Sequence, residues 1–344
     1  NIINTLSSTG AAAVTGIISS PSGTSAASNI FKNKISNLSG SNASSTVTGI
    51  SITLGTTTTV YNNILGDLRT TAANAANPLV GIAVSGGTTV NLYNNTVWLN
   101  GTSAGALFGS SAVSASTSPT LTMRNNLFVN LSTPSGAGLT VAYRRSSSTL
   151  TTYGSASNNN CLYAGTPGAS NLLFYDGTNS EQTIAGYKTR VSPRDISSMT
   201  ENVTFRSTSS ASADFLKIDS TVSTQLESNG QTISTPAITN DYFDIARFPN
   251  AGYPTNPGFT AVGPDVGAHE FGGVQLDLNG PNISYTALLN TGSTGDRSLT
   301  AVITDASGVA GGANIPRLYY KKSTDVSYQV DAVPAVLGTN YTWN

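Results

Sequence analysis

Val60-Tyr61-Asn62-Asn63-Ile64-Leu65 is one of five related stretches in the first half of the chain, and their spacing decides the fold. The others are Ile30-Phe31-Lys32-Asn33-Lys34-Ile35, Leu92-Tyr93-Asn94-Asn95-Thr96-Val97, Met123-Arg124-Asn125-Asn126-Leu127-Phe128 and Ser157-Asn158-Asn159-Asn160-Cys161-Leu162. With Asn33, Asn63, Asn95, Asn126 and Asn160 as the register mark, the steps are 30, 32, 31 and 34 residues. A fixed period of this size signals stacked coils. A second signal keeps phase with the first: Gly16-Ile17, Gly49-Ile50, Gly81-Ile82 and Gly138-Leu139 each precede an Asn strand, with Gly105-Ala106-Leu107-Phe108 as a looser copy.

Each period therefore holds at least two short strands. Apolar residues alternate with Ser, Thr and Asn instead of recurring every three or four positions, which points to strand and away from helix. Helical solenoids and leucine-rich or ankyrin arrays are excluded, and a propeller blade needs a longer period. The expected fold is all-β: a right-handed parallel β-helix solenoid in which inward side chains of successive coils form one core. Asn suits the bends, because it tolerates a left-handed backbone. Recurring at one bend, its amides can bond one another in a ladder and satisfy buried polar groups.

The 344 residues carry 16 Lys and Arg against 17 Asp and Glu, a net charge of −1. Charged residues make up 10% of the chain, against roughly 25% in ordinary soluble domains. No basic footprint for nucleic acid is present, and no Lys/Arg run to dock on an anionic membrane. No apolar run approaches the ~20 residues of a membrane span, so direct insertion is not expected. Cys161, the lone cysteine, sits in the register of Ile64, Thr96 and Leu127 and reads as a small core residue. The chain begins without Met and ends in a strand-like pattern, and reads as part of a longer secreted polypeptide.

Three segments follow from the patterns: regular coils over 1–165, irregular terminal coils and a cap over 166–273, and an alternating-strand module over 274–344. Residues 1–165 contain one carboxylate, Asp67, and the other acidic residues all lie beyond position 165. The middle segment holds two landmarks, Asp241-Tyr242-Phe243-Asp244-Ile245-Ala246-Arg247 and Pro264-Asp265-Val266-Gly267-Ala268-His269-Glu270. Short connections such as Pro254-Thr255-Asn256-Pro257-Gly258 separate them. Strand patterns at 282–285, 299–304 and 317–322, with turns at Thr291-Gly292 and Ser307-Gly308, have sandwich spacing.

These residues resemble the right-handed β-helix segments of large secreted surface proteins of the Bacteroidetes group, which end in a D-x-x-G-x-x-R-like element followed by D-[IV]-G-A-x-E. Here Ile245 stands where that pattern has Gly, and His269 where it has Asp or Tyr, so His269 is not expected to act as ligand or base. The resemblance implies an extracellular, cell-surface adhesin or filament protein with further domains in the same chain. It also implies a truncated Ig-like or fibronectin-like sandwich over 274–344, and export by the type IX outer-membrane secretion machinery.

Glycosidases and polyuronate lyases need facing carboxylates, or a carboxylate cluster with a basic partner. The regular coils cannot supply either, so an enzyme would build its site within 176–270, from Asp241, Asp244 and Arg247. The reading preferred is non-enzymatic, with these groups in structural ion pairs. Asp241, Asp244, Asp265 and Glu270 are also the candidate calcium ligands, as hard oxygen donors; no other cofactor is expected. For binding a glycan or cell-surface ligand, Phe31, Tyr61, Tyr93 and Arg124 form one outward register column, able to stack on a sugar chain or a protein. Arg144 and Arg145 are a further candidate grip on an anionic sugar or sulfate. A passive structural spacer is the remaining alternative.

Overall fold

The computed structural model describes the whole chain except residues 23–26, 258, 279, 290, 293–294 and 306–307. Gly258, Asn279 and Ser307, which close an expected connection, a linker and a turn, lie outside the described residues. The chain divides into two compact units, Asn1–Leu276 and Asp277–Asn344.

The first unit is a parallel β-solenoid of about five turns. Each turn contributes strands to three faces. The first face stacks Val14–Ser19, Val47–Ile52, Ala75–Val84, Phe108–Ala115, Thr140–Arg145 and Asn171–Tyr175, and ends with the antiparallel Ser180–Glu181. The second stacks Ala27–Phe31, Thr57–Tyr61, Thr89–Tyr93 and Thr120–Arg124. The third stacks Ile2–Ser8, Lys34–Gly40, Ile64–Leu65, Thr96–Leu99, Leu127–Asn130 and Cys161–Tyr163.

Register is set by apolar columns that pass unbroken from coil to coil. Ile30, Val60, Leu92 and Met123 pair in line on the second face and point inward. Ile50, Ile82, Val113, Tyr143 and Phe174 do the same on the first. A one-residue slip would turn each column out to the opposite side. Toward the last coils the core becomes aromatic. Tyr143 packs on Phe174 and Tyr153 with ring centroids 5.4 Å apart, and Phe174 on Tyr187 at 5.6 Å. Tyr187 and Val191 come from the one α-helix among the described residues, Ile184–Val191, N-capped by the Thr183 side chain, and both are buried in this core. The helix thus covers apolar surface that the last coil would otherwise expose.

The Gly signal of the first face continues differently from its sequence pattern. Gly16, Gly49 and Gly81 share a column whose next members are Ala112 and Ala142, not Gly105 and Gly138. The column must stay small because a Cβ at Gly49 would meet the Gly81 carbonyl oxygen at 2.6 Å and Leu65 Cδ2 at 2.5 Å.

Between the second and third faces the Asn pair turns the corner, and its two members divide the work. The first member takes the left-handed backbone: φ is 51° at Lys32, Asn62 and Asn94, 57° at Asn125 and 58° at Asn159. The second forms the ladder. Side-chain amides pass from Asn33 to Asn63 (2.8 Å), Asn63 to Asn95 (2.9 Å), Asn95 to Asn126 (3.0 Å) and Asn126 to Asn160 (2.9 Å). Each acceptor Oδ1 also takes the main-chain N–H of the preceding rung, at 3.0–3.2 Å. Asn1 adds a rung before Asn33 at 3.1 Å. At the far end the buried Asp195 closes the ladder: its Oδ1 accepts from Asn160 Nδ2 (2.9 Å) and Ser198 Oγ (2.6 Å), and its Oδ2 accepts from the hydroxyls of Tyr187 (2.7 Å) and Tyr153. Burial, with the Asp195 carboxylate as a second cause, holds both phenols well above their usual range.

The second unit has one antiparallel sheet, in the order Asn282–Tyr285, Leu299–Thr304, Asn340–Trp343, Ala335–Leu337, and a separate antiparallel pair, Leu318–Tyr320 with Gln329–Asp331. Its small core gathers Ala301, Ile303, Tyr341 and Trp343, with Val309, Ile315 and Leu318 against them.

Candidate functional site

Residues 200–276 contain no regular strand or helix among those described, yet they carry most of the charged groups singled out above. They run as a strap along the corner between the second and third faces, and the first Asn of each pair is its anchor. Asn159 donates to the Asn229 carbonyl at 2.7 Å. Asn125 exchanges two bonds with the Gln231 main chain, at 2.7 and 2.9 Å. Asn94 reaches the carbonyls of Asp265 and Gly267 (3.4 and 3.5 Å), Asn62 that of Asn240 (2.6 Å), and Lys32 pairs with Asp244.

The apolar reason for the strap is on the third face. Ile64, Trp98, Leu127, Val129 and Cys161 point away from the solenoid core and pack against Phe215, Leu216, Ile218, Leu226, Val266 and Phe271 of the strap. Burying side chains of this kind contributes roughly 1.5–3 kcal/mol each. Cys161 keeps the register of Ile64, Thr96 and Leu127 and is fully buried, but in this second core; burial pushes its thiol pKa up.

Asp241, Arg247, Asp265 and Glu270 meet under the strap, all 3% exposed or less. Arg247 donates to Glu270 Oε2 at 2.8 Å, to the carbonyls of Gly267 (2.8 Å) and Asp265 (3.2 Å), and to Asn62 Oδ1 at 3.0 Å. The guanidinium therefore ties both landmark motifs to a corner Asn in one step. Main-chain N–H groups fill the carboxylates. Asp241 accepts from Phe243, Ile245 and Glu270 at 2.7–2.9 Å. Asp265 accepts from Ser228 and Phe271 at 2.8 and 2.7 Å, and Glu270 from Phe248 and Asp265 at 2.9 and 3.0 Å. Burial, with the neighbouring charges of Glu270 and Glu227, pushes Asp265 well above the usual carboxylate range.

Asp244 is not part of this set: its side chain is 81% exposed at the Lys32 pair. Asp241 and Asp244 therefore do not face each other across an open cleft. Asp244 thus stands apart from the other three candidate calcium ligands, and among the described residues no group of three or more His, Cys, Asp or Glu side chains is disposed to hold a metal ion. His269 is structural, with Nδ1 accepting the Ile218 N–H at 3.0 Å. Burial, then the charges of Lys217 and Arg247, lower its pKa to about 3.

The outward column is real in register, Phe31, Tyr61, Tyr93 and Arg124 lying in line, but only Phe31 is fully open, Tyr61 being partly buried against Ile233 and Ile238. Phe31 and Tyr61 stack in parallel with centroids 4.8 Å apart, and Phe31 is 45% exposed. Tyr93 is buried beneath Ile233 and Ile238 of the strap, and Arg124 is held by Gln231. The two neighbouring arginines split to opposite sides of their strand. Arg144 bonds Ser111 Oγ at 2.9 Å and lies over the Tyr175 ring, half-buried. Arg145 points into the solenoid, fully buried, donating to the Tyr143 hydroxyl at 2.8 Å and the Thr149 carbonyl at 2.9 Å. A double-Arg grip on an anion is thus replaced by one inward and one outward charge, as strand alternation requires.

A signal for the strap was present in the sequence. Ile64-Leu65 and Leu127-Phe128 are adjacent apolar residues, and on a strand adjacent residues face opposite sides, so both sides must be covered. No known protein family, curated protein or solved structure matches the chain.

Proposed function

We propose that this chain is a non-enzymatic extracellular module: a right-handed β-helix stalk and binding surface, followed by an Ig-like or fibronectin-like spacer, within a large adhesin or surface filament of the Bacteroidetes type. The single observation that carries the non-enzymatic part is the saturation of Asp241, Asp265 and Glu270 by main-chain donors and Arg247. Groups so engaged lock a strap in place, and a general acid or base needs a free oxygen within reach of substrate. The low charge, the long hydrogen-bonded stack and the stacked Phe31–Tyr61 pair, exposed at Phe31, support a rigid surface element that meets a glycan or cell-surface partner through rings. Export by the type IX machinery and carbohydrate binding belong to this reading.

The test has two arms. Incubation with neutral and acidic polysaccharides should release no reducing ends and no unsaturated products; release that disappears in Asp241→Ala would falsify the proposal. Binding to immobilised glycans or whole cells should fall in the Phe31→Ala, Tyr61→Ala double variant, and binding that is absent altogether would leave the chain a passive spacer.

A further inference from the structure

The third face breaks at one place, and the break forms a cleft. Its strands carry a column of left-handed residues across the first three coils: Thr5, Asn37 and Asp67, with φ of 58°, 53° and 55°. They lie in register, because Leu6 pairs with Leu38 and Leu38 with Leu68. Non-glycine residues in this conformation cost about 1 kcal/mol or more each. In the third coil Asp67 splits the strand into Ile64–Leu65 and Leu68–Thr70, and the column ends there. Of these two pieces the next strand, Thr96–Leu99, pairs with Ile64–Leu65, and on its other side with Leu127–Asn130. Leu68–Thr70 is left without a following partner strand.

The notch so formed has a volume of about 290 Å³. Trp98 gives it apolar wall, while the Leu68 side chain turns into the solenoid core; Asp67, Arg69, Asn100 and the strap residues Thr208–Ser210 give it polar groups. Its geometry is held from both sides. Arg69 pairs with Asp67 and donates to Asn37 Oδ1. Ser210 donates to Asp67 Oδ2 at 2.7 Å, and its carbonyl accepts from Lys34 at 2.7 Å. Gly66 lets the strap come close, since a Cβ there would meet Phe215 Cζ at 2.9 Å. Several groups keep unused capacity. Arg69 has five N–H donors and the two bonds named here leave three. The side chains of Asn100, Thr208 and Ser209 and the indole Nε1–H of Trp98 have no hydrogen-bond partner among the described residues.

We propose that this cleft binds one neutral pyranose residue of a glycan. The chemistry is specific on three counts. The size fits a single sugar ring, lying at the low end of small-molecule sites. The aromatic wall of Trp98 suits the C–H face of a sugar, while carboxylate, guanidinium, amide and hydroxyl groups around it suit vicinal hydroxyls, each both donor and acceptor. The charge is internally balanced, because Asp67 neutralises Arg69 in direct contact. Among the lining residues an anionic sugar or sulfate would find no unpaired cation, and the Lys34 ammonium beyond them is directed at the Ser210 carbonyl. The inference deepens the glycan-binding reading given above, but uses residues distinct from the Phe31–Tyr61 pair.

The experiment is a titration of the full 344-residue chain with methyl glycosides of glucose, galactose, mannose, xylose and N-acetylglucosamine, with the methyl glycoside of galacturonic acid, its carboxylate free, as the charged control. The chain has two tryptophans, so an amide correlation spectrum shows two indole N–H signals, and the one missing in Trp98→Phe is assigned to the cleft. The expected result is a saturable shift of that signal with at least one neutral glycoside, at roughly millimolar affinity for so small a ligand. Affinity should fall about five- to tenfold in Asn100→Ala, the worth of one hydrogen bond. Asn100 is exposed, so this variant keeps the fold. Phe31→Ala with Tyr61→Ala should leave the shift unchanged. An unmoved Trp98 signal with every neutral glycoside overturns the cleft, as does a response confined to galacturonate. Glycan binding that is lost in the ring variant while Trp98 never responds refutes the cleft and leaves the surface-binding reading standing. A Trp98 response with an inert ring variant supports the cleft and refutes the ring pair as binding surface.

Discussion

Replacing Asn95 by alanine tests the ladder at its centre. The side chain donates to Asn126 Oδ1 at 3.0 Å and to the Val60 carbonyl at 2.8 Å, and its oxygen accepts from the Asn63 main chain at 3.2 Å and the Asn63 amide at 2.9 Å. All four bonds are buried. Loss of a buried bond costs about 1 kcal/mol net, and a donor left wholly unpaired costs about 1–3 kcal/mol. The Asn63 amide keeps the Ile30 and Tyr61 carbonyls, so its loss is partial. The Asn63 main-chain N–H keeps no partner. Asn95→Ala should therefore cost on the order of 3–5 kcal/mol. At the edge, Asn33→Ala removes donation to Asn63 Oδ1 and to the Phe31 carbonyl and acceptance from Asn1, and orphans no main-chain donor. Its cost should be nearer 1–2 kcal/mol. Urea unfolding followed by circular dichroism measures both, and hydrogen exchange at Asn63 adds a local readout, since solenoids need not unfold in one step. Equal costs at the two positions, or a cost below about 1 kcal/mol at Asn95 with unchanged Asn63 exchange, would refute the ladder as a source of stability.

Arg247→Met leaves Glu270 buried without its cation and should weaken the strap by about 3–5 kcal/mol; limited proteolysis should then cut within 200–276 while exchange in the strands of 1–165 is unchanged. His269 must stay neutral to accept the Ile218 N–H. Its folded pKa of about 3 lies below the unfolded value near 6.5, so the stability it contributes is present above pH 6.5 and is lost as pH falls toward 3, by about 2 kcal/mol at pH 5. Asp265 acts in the opposite sense: its raised pKa gives stability that is complete below about 3.9 and lost as pH rises through the raised value. The difference between native protein and His269→Asn, read by urea unfolding at pH 7 and pH 5, isolates the histidine slope. Gly81→Ala would put a Cβ 2.4 Å from both the Ala112 carbonyl oxygen and Val97 Cγ1, and should lower the unfolding midpoint by the equivalent of about 1–3 kcal/mol.

The buried acid set shows how charge works in a chain that has little of it. Asp195, Asp241, Asp265 and Glu270 sit where regular pairing stops: at the end of the ladder and in the turns of the strap. A carboxylate accepts several N–H groups at once, so it satisfies main-chain donors where no strand is available to do so. This accounts for the buried members of the acidic residues beyond position 165. The coils need none, because each coil's main chain pairs with the next.

What the amino-acid order determined by itself is the repeating part. A period near 32 residues, alternating apolar residues and an Asn pair at each corner specify parallel coils, because every coil meets the same neighbours and local pattern becomes global register. The Asn ladder, the inward Ile30–Val60–Leu92–Met123 column and the antiparallel strands after residue 277 follow from such local terms. Only the tertiary structure decided the rest. The strap has no period, and its partners lie 70 to 212 residues away in sequence, from Asn159 with Asn229 to Lys32 with Asp244. That contact set buries Tyr93, splits Asp244 from Asp241 and opens the Trp98 cleft, while the solenoid interior takes up Arg145. Non-local packing and the competition for buried hydrogen-bond partners settle these positions, and neither leaves a spacing in the chain that can be read.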